Sequence, residues 1–183
     1  MSKQFLPSGY EAPAGTSDYM KFSDGDNRFR ILSEEAMIGW EGWKDGKPFR
    51  REGIEKNIED DEVDLDDKYG KAKPKINHFW AFLVYDYADK AVKILTITQK
   101  TIMKSIQGLA DDQDWGNPTG YDLNVKREDK GGRISYAVTS YPPKKISKDI
   151  EVAVAASEIN VADLFEDEME TTFRKTPSRG SKR

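Results

Sequence analysis

Residues 78–87 read HFWAFLVYDY, with seven consecutive apolar or aromatic residues from Phe79 to Tyr85 in a chain that is 34% charged. Extended backbone sends alternate side chains to opposite faces. Phe79, Ala81, Leu83, Tyr85 and Tyr87 therefore share one side, and His78, Trp80, Phe82 and Val84 the other. A sheet with one wet face needs a single apolar side, and here both are apolar. The odd-numbered side carries no polar atom before its tyrosines and reads as the core. The even-numbered side mixes His78, Trp80, Phe82 and Asp86, which suits an apolar surface open to a ligand. A helix or loop covering it as a second core layer is the competing reading.

The neighbouring segments are strands of the same kind. Ser23-Asp24-Gly25-Asp26-Asn27 is a turn signal, and after it Arg28, Phe29, Arg30 and Ile31 alternate, Phe29 and Ile31 inward and both arginines outward. AMIGWEGW (36–43) is a second strand that ends at the turn Lys44–Pro48. VKILTIT (92–98) follows 78–87 through Ala88-Asp89-Lys90. Ile102, Ile106 and Leu109 then recur at helical spacing, with Thr98 as N-cap. YDLNVKR (121–127) and RISYAVTSY (133–141) form a hairpin through Asp129-Lys130-Gly131-Gly132. Strands, one helix and a last hairpin match the OB-fold plan, a small antiparallel β-barrel; an open α+β sheet is the competing architecture. The predicted domain covers 19–150. Residues 1–18 form a flexible arm, 52–74 a long mobile acidic loop, and 151–183 a C-terminal acidic segment with a basic tail.

Charge is divided unevenly. The net charge is −4, yet 55–67 holds eight acids and one lysine and 158–170 holds six acids, so the remaining residues carry +9. The absence of cysteine excludes disulfides and thiolate metal sites, and His78, the single histidine, has no partners for a zinc site. The acidic run DDEVDLDD (60–67) lacks the glycine and closing glutamate of a calcium loop and reads as a solvated loop, so no metal or cofactor is expected. No apolar run approaches the ~18 residues that span a bilayer, and no signal-type block opens the chain; the expectation is a soluble, cytoplasmic protein.

Cations and aromatics interleave along the predicted strands. Arg28 and Arg30 share a face, Arg50 and Arg51 follow the second strand, and Lys126 and Arg127 end a later one. Trp40, Trp43, Trp80 and Phe82 supply flat rings. Clustered cations form a track for a phosphate backbone, and exposed rings beside them stack unpaired bases at roughly 1–3 kcal/mol per base. Solvated surface charge is the plain alternative. Segment 158–170 sets Ile159, Val161, Leu164 and Phe165 among its acids. It reads either as a detachable acidic peptide, on the basic groove or on partner proteins, or as a short surface helix around Val161–Phe165. FRKTPSRGSKR (173–183) carries five cations and reads as a disordered basic tail able to touch phosphates.

YMKFSDGDNRFRILSEEAMIGWEGW, HFWAFLVYDY, VKILTITQKTI and DDQDWGNPTGYDLNVKRE together resemble the single-stranded DNA-binding proteins of tailed bacteriophages, over roughly residues 5–165. The motifs are Gly25-x-Asn27-x-x-Arg30-Ile31, Trp40-x-x-Trp43 and Phe79-Trp80-Ala81-Phe82. The resemblance implies an OB-fold, a replication or recombination role with phage proteins as partners, and sequence-tolerant strand binding. This chain lacks the Cys/His ligands of the zinc-containing phage type, and five cations follow its acidic run where a terminal acidic tip would stand. The resulting expectation is a non-enzymatic protein that coats single-stranded DNA. A protein-interaction adaptor acting through the acidic loop and tail is the alternative, and a metal-dependent nuclease a third. Nothing in these residues separates DNA from RNA.

Overall fold

The computed structural model describes residues 17–67 and 70–165. Expectations that fall on 1–16 and 166–183, the greater part of the arm and the whole basic tail, lie outside the described residues.

The chain is mainly β, built on one antiparallel sheet of seven strands. They are β1 (Gly25–Ile31), β2 (Met37–Lys44), β3 (Lys47–Glu52), β6 (Asn77–Asp86), β7 (Ala91–Ile97), β8 (Asp122–Lys130) and β9 (Arg133–Ser140); two short strands, β4 (Leu65–Asp66) and β5 (Lys73–Pro74), pair separately. The quoted stretch is the hub. One edge of β6 pairs with β7, and its other edge pairs first with β2 (Met37↔Ala81) and then with β1 (Ile31↔Val84). β1 gives its far edge to β8, which turns back as β9. Both tight hairpins have the chemistry their turns demand. Asp45-Gly46 and Gly131-Gly132 all have positive φ, the condition for a two-residue turn matched to strand twist.

The helix expected before the last hairpin is α1 (Lys100–Asp111), with Gln99 rather than Thr98 at its N-cap. The expected closed barrel is not formed. The strands run β7-β6-β1-β8-β9, and no β7–β9 pairing completes a ring among the described residues. Instead α1 packs on β9, and its Ile102, Met103 and Ile106 fill the space where a ring would close. A second helix, α2 (Lys148–Ala156), was not foreseen; Ser147 caps it by accepting from the Ile150 amide.

The assignment of the two faces of β6 is corrected. The even-numbered side is the main core: Phe82 and Val84 pack with Phe29, Ile31, Leu95, Ile97 and the apolar stripe of α1. Phe82 is 2% exposed, so it offers no surface ring. The odd-numbered side is sealed by a later part of the chain. Val161, Leu164 and Phe165, in one 3-10 turn (Val161–Phe165), cover Phe79, Ala81 and Ile94, with Phe165 stacked on Phe79 at 5.9 Å between ring centroids. Of the segment 158–170, the described part forms the short helical turn expected around Val161–Phe165, and 166–170 lie outside the described residues. Both sides are apolar because both are buried.

The acidic loop also differs from expectation. Its segment 54–67 is packed: Ile58 is fully buried and Val63 nearly so, the Asp64 amide donates to the Trp43 carbonyl, and Gly42 leaves room for Val63, whose Cγ1 lies 2.4 Å from where a Cβ would stand. Two apolar residues among eight acids anchor the run to the β2–β3 hairpin. Replacing Ile58 with Ala is therefore expected to cost about 2–4 kcal/mol in urea unfolding, while Ile54→Ala, at a largely exposed position, stays within about 0.5 kcal/mol. Equal effects at the two positions would contradict this packing.

Candidate nucleic-acid interface

Cross-strand pairing decides which cations meet. Arg28 and Arg30 alternate with Phe29 on β1 and lie opposite Asn124 and Asp122 of β8. The side chains on that face converge on one carboxylate. Asp122 is completely buried; its Oδ2 accepts from Arg28 Nη2 (2.6 Å), Arg28 Nε (3.1 Å) and the Tyr87 hydroxyl (2.8 Å), and its Oδ1 accepts from Arg30 Nη1 (3.2 Å). Lys144 brings a third cation, with Nζ 3.6 Å from Oδ2.

Arg30 is not the outward residue that alternation predicts. It is 2% exposed, and its remaining donors go to the carbonyls of Thr119 (2.7 Å) and Lys144 (2.7 Å). Its parity with Arg28 is as expected, but the turn 117–120 and the segment after β9 close over that end of the face. Arg28 stays half-exposed, its guanidinium 4.7 Å from the Tyr87 ring centroid and 4.0 Å from that of Tyr141. Its Nη1 makes no hydrogen bond among the described residues, and the side chain is 34% exposed beside the two rings.

Electrostatics follow from these contacts. Burial alone would push the Asp122 carboxyl up, but hydrogen bonds from Arg28, Tyr87 and Arg30 outweigh it and hold the carboxyl below its ordinary value. Burial, together with the bond to Asp122, pushes the Tyr87 phenol up to about 12. Three cations against one carboxylate leave positive charge in excess here. The other predicted cations are each paired with an acid: Arg50 with Glu41, Arg51 with Glu62, Lys126 with Glu128 and Arg127 with Asp24. Arg51 is held by the acidic loop itself, through both Glu62 oxygens and the Asn57 carbonyl.

The predicted rings are dispersed. Trp43 is exposed near the tip of the β2–β3 hairpin, on the face of Gly39 and Glu41. Trp40 is half-buried, its ring 4.7 Å from that of His78 and its Nε1 donating to the Ile54 carbonyl (3.3 Å). Trp80 is half-buried and lines a cleft of about 470 Å³ beside α1. None of them lies among the residues gathered at Asp122, where Tyr87 and Tyr141 are the flanking rings. Sequence reasoning missed four members of the cluster: Asp122, Tyr87, Tyr141 and Lys144. A usable signal was present at one of them, since Asp122 is the one acid in the strand start Tyr121–Val125 and shares a face with Asn124 rather than with Tyr121, Leu123 and Val125.

Among the described residues no group of three or more His, Cys, Asp or Glu is placed to hold a metal ion, and no helix is long and apolar enough to cross a membrane. No protein-family model, curated protein or solved structure matches the chain.

Removing one partner of a buried charge cluster leaves the others uncompensated, so Asp122→Asn is expected to destabilise the fold by about 3–5 kcal/mol. The carboxyl titrates lower folded than unfolded, so its contribution is complete above the unfolded value of about 3.9 and drains away as pH falls below it. The urea midpoint of the native chain should therefore fall as pH is lowered below about 4, and that of the Asn variant should fall less. Parallel pH profiles would contradict the assignment.

Proposed function

We propose that this chain is a non-catalytic single-stranded DNA-binding protein of OB-fold type, serving phage replication or recombination. The observation that carries the reading is the cluster at Asp122: an excess of positive charge with a half-exposed guanidinium held beside two half-exposed tyrosine rings. Phosphate tracking needs fixed cations, and stacking needs rings that are not sealed. Arg28 and Lys144 take phosphates, Arg30 and Asp122 hold Arg28 in place, and the outer surfaces of Tyr141 and Tyr87 receive bases. The strand order β7-β6-β1-β8-β9 with a helix between β7 and β8 supports the OB-type plan, as a barrel left open where α1 intervenes. The resemblance to phage strand-binding proteins points the same way, through Gly25-x-Asn27-x-x-Arg30-Ile31, which includes Arg30.

The test is a titration of intrinsic tryptophan fluorescence or labelled-oligonucleotide anisotropy with oligo-dT, a duplex and an RNA oligomer at several salt concentrations. Oligo-dT should bind at low salt, more tightly than duplex, with log K falling by about 0.7 per neutralised phosphate. Lys144→Ala, at an exposed side chain, should weaken binding and lower that slope by about 0.7. Tyr141→Ala should cost roughly 1–3 kcal/mol in affinity. Absence of binding at low salt would sink the proposal; so would equal affinity for duplex, or a Lys144 variant with an unchanged slope.

A further inference from the structure

The cleft beside α1 has a character opposite to that of the Asp122 cluster. Its floor is apolar, formed by Ile31, Trp80, Phe82 and Ile106, and its volume is about 470 Å³, within the range of ligand-sized sites. Glu34 lines it and makes no ion pair or hydrogen bond among the described residues, and no lining residue is a cation. Further acids stand next to the lining residues in sequence and are exposed: Glu35 follows Glu34, and Asp111 and Asp112 follow Ala110 at the C-terminal end of α1. The last turn of α1 holds no basic residue, so the negative end of the helix dipole adds to these acids instead of being offset. A phosphate chain is repelled from such a cleft. A cationic segment with one apolar anchor is attracted to it.

This chain contains such a segment. Residues 173–183, FRKTPSRGSKR, are one aromatic residue followed by five cations, and they belong to the 18 residues that follow the last described one. We propose that the cleft is the docking site for this segment, with Phe173 seated against the half-buried Trp80 and the cations facing Glu34, Glu35, Asp111 and Asp112. Burial of one aromatic anchor supplies affinity, and the acids supply orientation and salt dependence. The inference is independent of the strand-binding reading, since it uses the opposite side of the sheet and none of the residues gathered at Asp122.

The chain has no cysteine, which permits a direct test on the full-length protein. Ala110→Cys, on the exposed lip of the cleft, and Thr172→Cys, beside the anchor, are introduced together. Disulfide formation is followed in glutathione buffer without nucleic acid. A cross-link is expected within one molecule or between two, slowed at least tenfold when Glu34→Lys or Phe173→Ala is added and slowed by high salt. The inference is overturned if no cross-link forms, or if either added substitution leaves its rate unchanged. Oligo-dT affinity of the same variants reads the other site separately, so loss of one result does not imply loss of the other.

Discussion

A buried carboxylate has to be neutralised from all sides, and the arrangement around Asp122 is the answer this chain gives. The group is fully shielded from solvent, so its charge persists only because two guanidinium groups, a phenol and a nearby ammonium surround it. The requirement reaches well beyond the contact itself. It fixes the register of β1 against β8 and pins the turn at Thr119 through Arg30. It also draws the segment after β9 back over the sheet, because Arg30 donates to the Lys144 carbonyl while the Tyr141 amide donates to the Asp122 carbonyl. The path that later lays the turn Val161–Phe165 over the odd-numbered side of β6 starts at that fastening.

The surface feature most suited to a ligand is a by-product of this demand. Two arginines and a lysine are more than one carboxylate needs, and the chain cannot bury all three. Arg30 goes inside, and Arg28 stays at the boundary, its guanidinium stacked with the two tyrosines. Such rings keep a guanidinium oriented without neutralising it, unlike the ion pairs of Arg50, Arg51 and Arg127 with one acid each; Lys126 shares Glu128 with Lys130. Counting basic residues along a strand does not separate these two situations.

That distinction explains how much the amino-acid order revealed. Six of the seven sheet strands, the two Gly-containing turns and α1 were legible, because period-two and helical alternation and turn residues are local signals; β3 was not, since Lys47 and Pro48 read as part of the turn and Arg50 and Arg51 as residues following the second strand. The faces of β6 were not, because HFWAFLVYDY is apolar on both sides and the covering residues lie about eighty positions away in Val161–Phe165. The acidic loop misled for a related reason: eight acids obscured Ile58 and Val63, the two residues that anchor it. At the site, Arg28 and Arg30 were legible as a pair on one face. The burial of Arg30 was not, since it depends on backbone carbonyls at 119 and 144 that carry no sequence signature.

The cover over Phe79, Ala81 and Ile94 has a bearing on how the molecule is born. A ribosome releases β6 and β7 long before Phe165, so the outer apolar side of the growing sheet is bare throughout synthesis of the last third of the chain. During that interval it is a sticky surface in need of company, from a chaperone or from another nascent chain. The sheet residues alone are thus not a self-sufficient folding unit; the unit ends at the turn that arrives last.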